Sequence, residues 1–198
     1  MSWIDDFLAG GPDYEAQACS VAEVQALLLK AGRGAGLPLG HAQDFSGMAG
    51  LLMSDPKLFA IATAALEGPH HRVRREGTVE HVVIEQARIA MAAPSIWDAF
   101  QCGAKRVVCH GLDWPQLLWP VILRARQLYG LDLEFAVMDR DTIVLSLSAG
   151  APMQDVGPAQ PVPLVPLARL EVLAAKTYVP ASEASRQAGA GAGLTDND

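Results

Sequence analysis

The sequence has few cysteines, fewer basic than acidic residues and no long apolar run, and each shortage excludes a class of protein. Its three cysteines are odd in number and form no CxxC spacing, which fits reduced thiols better than a disulfide framework or a zinc site. Charged residues make up 19% of the chain and the formal net charge is -7, so nucleic acid is not an expected partner. No apolar run approaches the roughly 18 residues of a membrane span.

The amino-terminal residues Met1–Asp6 lack the basic start and the apolar stretch of a secretory signal peptide. We therefore expect a cytoplasmic protein that has no membrane partner. Hydrophobic residues make up 51% of the 198, which is enough for one large domain or for two small ones that share a core. The chain is thus expected to form a globular body.

The first third of the chain predicts helices. Residues 1–18 are weakly patterned and are expected to form an N-terminal extension on the surface, whereas residues 19–68 predict a unit of three helices. Ser20 and Glu23 have the spacing of a capping box at the start of the first helix. Asp55-Pro56 has the pattern of an N-cap followed by a first-turn proline, which predicts the start of the third helix.

Residues 79–150 predict a mixed α/β unit. The segments that predict strands are 79–86, 106–110, 131–137 and 142–148. Helical segments separate the first three strands, and a short turn joins the last two into an antiparallel hairpin, so the sheet should be mixed. The predicted fold class is α+β, in which an N-terminal three-helix unit packs with a small mixed β-sheet and covering helices.

The last part of the chain divides into two. Residues 151–166 are rich in proline and predict an extended connector across the surface. Residues 167–198 predict a C-terminal helix, which has leucines at helical spacing, followed by a Gly-rich tail. No long internal repeat is evident.

The glycine-rich segment Gly32–Gly36 resembles a phosphate-binding loop in composition. It follows a helix and not a strand, and no Lys-Ser or Lys-Thr comes after it, so it fits neither a dinucleotide fold nor a P-loop. Two interpretations stay open. The segment is a helix C-cap with a tight turn, or it is a loop whose N–H groups and Arg33 hold an anion where the helix after Pro38 begins. These patterns identify no cofactor.

The tail offers a second half for such a site. Its glycines would let the backbone approach a ligand, and the alternative is a mobile, low-complexity end. We predict an accessory or regulatory protein that binds a small anionic metabolite, with Arg33 and Arg186 neutralising the anion. The candidate ligand-binding residues are Arg33, Gly34, Gly36, Gly40, Tyr178, Ser182, Ser185, Arg186 and Asp196.

Two other classes of function stay open. In a cofactor-independent hydrolase or lyase, the catalytic groups would be Cys109, near the end of a predicted strand, or the tail carboxylates. Cys109 and His110 are neighbours on that strand and should point to opposite faces, which disfavours a direct Cys-His pair. A structural subunit of a protein complex would use an exposed tryptophan, Trp3, Trp114 or Trp119, to anchor a partner. A protein partner or a homo-oligomer is therefore open.

The basic segment 68–75 also has two interpretations. Three arginines beside a turn indicate a solvated loop, and the alternative is contact with a phosphate or an acidic partner. His70 and His71 are adjacent, which is poor spacing for two ligands of one metal. We therefore predict no zinc site.

Two segments of the chain resemble a known family. Residues 30–42, KAGRGAGLPLGHA, and the ending 177–198, TYVPASEASRQAGAGAGLTDND, are similar to the bacterial family of domain of unknown function 3726. The resemblance covers nearly the whole chain from Val21, with His41 where an apolar residue is expected. It implies a cytosolic bacterial protein and supplies no established activity.

Overall fold

The computed structural model describes residues 2–10, 14–148 and 156–178, and it confirms the α+β class. The elements are α1 (Trp3–Ala9), β1 (Ala16–Gln17), α2 (Val21–Gly34), α3 (Leu39–Ser46), α4 (Ala49–Leu52), α5 (Pro56–Leu66), β2 (Arg74–Gly77), β3 (His81–Glu85), α6 (Ile89–Gln101), β4 (Arg106–His110), α7 (Leu118–Tyr129), β5 (Leu133–Val137), β6 (Thr142–Leu147), β7 (Val162–Pro163) and α8 (Leu164–Ala175). A 3-10 turn, Pro115–Leu117, leads into α7. No helix in these ranges is both long and apolar enough to cross a bilayer.

The main sheet is mixed, as predicted, with the strand order β2-β3-β4-β6-β5. β3 and β4 are parallel because α6 connects them, and the remaining neighbours are antiparallel. Burial alternates along β3, β4 and β6, so one face of the sheet packs on the core and the other is wetter. The residues on the core face of these strands are Val82, Ile84, Val107, Cys109, Ile143 and Leu145.

Two predicted helix starts are confirmed, and one predicted helix is divided. Ser20 and Glu23 form the capping box of α2, and Asp55 caps α5 through the Lys57 N–H at 2.8 Å. The segment after Pro38 forms two helices, α3 and α4, instead of one, because the chain turns at Gly47. Pro120 is the third residue of α7, where a missing N–H costs nothing, so the proline marks the true start of that helix.

Residues 2–10 and 14–18 of the N-terminal extension, and residues 156–166 of the proline-rich connector, form more regular structure than predicted. α1 has its own capping box from Ser2 and buries Ile4 in the core. β1 pairs antiparallel with β7, so that Gln17 lies opposite Val162 in a small second sheet. The Leu164 N–H then donates to the Glu15 carbonyl at 2.9 Å where α8 begins. The two segments stabilise each other through this pairing, and neither segment's sequence alone predicts it.

Ser95 and Asp98 predict the cap of a short helix, and this prediction of the start of α6 is wrong. The helix begins at Ile89 and includes Pro94. Its cap is not local, because the Asp113 carboxylate accepts the Ile89 N–H from the loop after β4. Arg88 binds the same carboxylate and also donates to the carbonyl oxygen of Ala65 at 3.0 Å. This contact, between residues distant in sequence, holds the start of α6 against the end of α5.

Candidate functional site

A groove of about 770 Å³ opens between the start of α3, the segment that leads into β2, and α6. Four basic side chains line it, and no acidic residue of the described chain does. These basic residues are His41, His70, Arg72 and Arg75. Ser95 adds a hydroxyl, while Val73 and Met91 supply apolar wall. The groove is therefore suited to a small anion that carries some apolar surface.

The start of α3 forms one wall of the groove. Gly36 adopts a left-handed φ of 93°, which turns the chain out of α2, and Pro38 then precedes the first helical residue. No side chain caps this helix start, so the first N–H groups of α3 have no side-chain partner. Gly36, Pro38 and His41 all line the groove, which places these donors at its border.

Strand β2 directs one of the two groove arginines, Arg75, into the groove by alternation, while Arg72 precedes the strand. Arg74 points to the outer face of the sheet and pairs with Glu76 at 2.6 Å, whereas Arg75 points to the other face and lines the groove. Within the described residues, neither Arg72 nor Arg75 forms an ion pair with an acidic side chain. Their guanidinium groups are exposed and free to meet a ligand.

His70 is the most enclosed titratable group in the lining. Its Nε2 lies 3.1 Å from the Leu66 carbonyl oxygen, and its buried Nδ1 has no hydrogen-bond partner. Burial lowers the pKa of His70, which the hydrogen bond to Leu66 partly opposes. A neutral ring therefore donates from Nε2 and presents Nδ1 as an acceptor, while a protonated ring would present a second N–H.

The glycines predicted as ligand-binding residues have different roles. Gly36 lines the groove, and Gly40 lies in the first turn of α3 with nothing within 4 Å of the position a Cβ would occupy. Gly34 packs against α8, because a Cβ there would overlap the Leu173 carbonyl oxygen and lie 2.8 Å from its carbonyl carbon. The Cα of Gly34 is therefore in close contact with α8, and its ligand-binding role stays a prediction.

Two of the predicted site residues that the structure describes, Arg33 and Tyr178, do not line the groove. Arg33 is exposed at the end of α2 and does not line it. Tyr178 is 63% exposed just after α8. The other predicted residues, Ser182, Ser185, Arg186 and Asp196, lie outside the described residues. The positive charge of the described lining comes from Arg72 and Arg75, which lie in the basic segment that the sequence suggested as a solvated loop.

The geometry of Cys109 disfavours a thiol nucleophile. Its side chain is fully buried on the core face of β4, and burial raises the pKa of Cys109 to about 12. The thiol is therefore protonated at neutral pH, whereas nucleophilic catalysis requires a thiolate. His110 points to the opposite face, as the alternation predicts, and its Nδ1 lies 3.1 Å from the Thr142 hydroxyl.

The tryptophans do not offer exposed anchors. Trp3, Trp114 and Trp119 are all partly buried against the core. Trp3 also donates to Glu67 at 2.9 Å and lies under the guanidinium of Arg169, 4.8 Å from the ring centroid. Across residues 2–10, 14–148 and 156–178, no group of three His, Cys, Asp or Glu side chains could hold a metal ion.

Comparison of the chain with protein-family models, with curated proteins and with solved structures finds no match. The resemblance to the family of domain of unknown function 3726 stays a prediction.

Proposed function

We propose that the protein binds a small anionic metabolite in the basic groove and acts as an accessory or regulatory protein. The observation that carries this proposal is a lining with four basic side chains and no acidic one among the described residues. Such a lining gives a positive potential, and concave walls concentrate the field on a small ligand. The volume suits a metabolite and not a macromolecular surface.

Each part of the groove has a distinct task in this proposal. Arg72 and Arg75 would bind a phosphate or carboxylate through paired N–H donors. The N–H groups at the start of α3 would add short hydrogen bonds from the positive end of the helix. Met91 would contact the apolar part of the metabolite. Arg186 keeps its predicted role as an added cation from the tail.

Substitution of both groove arginines tests the proposal. In Arg72→Ala/Arg75→Ala we expect the affinity for inorganic phosphate, pyrophosphate or a phosphate monoester to fall at least tenfold, because each hydrogen bond to a charged group contributes about 1.5–3 kcal/mol. Isothermal titration calorimetry measures the affinity. Thermal melts of the same samples check that the fold is kept.

Arg74→Ala is the matched control. It removes the same charge from the same strand, but on the outer face, so we expect near-normal affinity. The proposal fails if Arg74→Ala weakens binding as much as the double substitution, or if no anion of the panel binds the wild-type protein.

The pH dependence of binding gives a second test. The protonated His70 ring attracts an anion and burial lowers its pKa, so affinity should rise several-fold as the pH falls through the range below the usual histidine value of about 6.5. Sulfate is the suitable probe, since it keeps its charge throughout this range. Titration calorimetry in buffers from neutral to mildly acidic pH measures the effect.

His70→Gln should flatten this dependence. The adjacent His71→Gln should not change it, because His71 does not line the groove. An unchanged pH profile in His70→Gln, or a flattened one in His71→Gln, would contradict the role of His70.

A further inference from the structure

We propose that two copies of this chain associate through the outer edge of β5, so that their five-stranded sheets join into one continuous sheet. β5 is the last strand of the sheet order, and in the described part of the chain no strand pairs with its outer edge. This inference concerns the opposite end of the sheet from the basic groove and does not depend on the proposed function.

The two edges of the sheet differ in a way that favours pairing at β5. The edge strand β2 reads Arg74-Arg75-Glu76-Gly77, and such charges block the approach of another strand. β5 reads Leu133-Glu-Phe-Ala-Val137, with no proline, lysine or arginine, and most of its residues are exposed. Charged edges keep monomers apart, so an apolar edge indicates a strand that is normally covered.

The backbone of β5 is arranged for a further strand. The Met138 N–H donates to the Thr142 carbonyl at 2.9 Å, and the Asp132 carbonyl accepts from the Ser148 N–H at 2.8 Å. Even-numbered residues thus direct their polar groups to β6. Because these groups alternate along a strand, the N–H and C=O groups of Leu133, Phe135 and Val137 face the open edge.

A second copy fits this edge in one favoured register. A two-fold axis at Phe135 places Phe135 opposite its counterpart and Leu133 opposite Val137, so that apolar side chains meet on one face. Glu134, the one charged residue of β5, then lies opposite Ala136. An axis at Glu134 would place two carboxylates directly opposite each other, which is unfavourable. The strand is therefore complementary to itself when it is centred on Phe135.

Sedimentation velocity of the wild-type chain and two matched variants tests the proposal. We expect a dimer with a micromolar dissociation constant for the wild type, because a short edge contact buries little surface. Val137→Lys places a charge on the shared edge and should raise the dissociation constant at least tenfold. Val172→Lys is the control, since Val172 on α8 is 66% exposed and Val137 is 63% exposed. It should leave the dimer intact.

The inference is overturned if the wild type is monomeric at high micromolar concentration or if Val137→Lys dimerises as the wild type does. Disulfide trapping then tests the register in a Cys102→Ser background, because Cys102 is exposed. Glu134→Cys mixed with Ala136→Cys should cross-link, since opposed non-hydrogen-bonded pairs are about 4.5 Å apart. Stronger cross-linking within Glu134→Cys alone would contradict the register centred on Phe135.

Discussion

Gly34→Ala is expected to lower the free energy of unfolding by about 3 kcal/mol and the melting temperature by roughly 6–12 °C. The new Cβ would overlap the Leu173 carbonyl oxygen and lie 2.8 Å from the Leu173 carbonyl carbon. Both atoms belong to the backbone of α8 and cannot rotate away. The whole helix must therefore shift from α2, which opens the packing around Leu170 and Leu173.

Gly40→Ala is the control for this prediction. Gly40 is also a helical glycine, but nothing lies within 4 Å of its Cβ position. Alanine there should leave stability unchanged or raise it by up to about 1 kcal/mol, because glycine has poor helix propensity. Chemical denaturation followed by circular dichroism measures both variants. Equal midpoints for Gly34→Ala and the wild type would show that α2 and α8 pack less closely than described here.

Arg88→Met is expected to cost about 3 kcal/mol, the second large effect. Arg88 donates to the carbonyl groups of Ala65 and Glu67 at the end of α5, and its Nε lies 3.2 Å from the Asp113 carboxylate. Methionine keeps the apolar stem but leaves two carbonyl groups and a largely buried carboxylate without their cation. Losing one member of this partly buried pair is costly because the other charge stays partly desolvated.

The pH dependence of Arg88→Met identifies the cause. Burial already raises the pKa of Asp113 against the opposing effects of Ile89 and Arg88. The folded state thus holds the Asp113 proton more tightly than the unfolded state, and removal of Arg88 increases this difference. The stability lost relative to the wild type should shrink as the pH falls from 7 towards the usual aspartate value of about 3.9.

Two further variants complete the test. Asp113→Asn in the Arg88→Met background should recover part of the loss at neutral pH, because the amide oxygen still accepts the Ile89 N–H. Arg126→Met breaks the more exposed pair with Asp132 and should cost less than about 1 kcal/mol. If the loss of stability in Arg88→Met does not depend on pH, its cause is lost packing and not the unpaired Asp113 carboxylate.

Sequence patterns predicted an element correctly where the residues that start or form it lie close together in the chain. The Ser20 capping box, the Asp55 cap and the strand 106–110 are found where the sequence predicts them. The start of α6 is missed because its cap, Asp113, comes from another loop. β2 is missed because its charged residues resemble a loop, and it becomes a strand through pairing with β3.

The candidate site shows the same limit. Sequence patterns predicted Gly36 as a ligand-binding residue, and Gly36 lines the groove. They also singled out His41, where an apolar residue is expected, and the basic segment 68–75. The sequence alone could not place them together, because the groove is formed by α3, the segment before β2 and α6, which are far apart along the chain. Gly34 was assigned to a ligand because a helical glycine at a loop looks the same whether it meets a phosphate or a neighbouring helix.

The pairing of β1 with β7 has a consequence for synthesis. Residues 16–17 meet residues 162–163, and α8 then packs beside α2. The part of α2 that packs against α8 therefore has no cover until α8 has left the ribosome. Contacts between residues so distant in sequence slow folding, and apolar surface that promotes aggregation stays exposed until they form. A ribosome-bound chain that stops before α8 should accordingly attract chaperones, although its sheet is already complete.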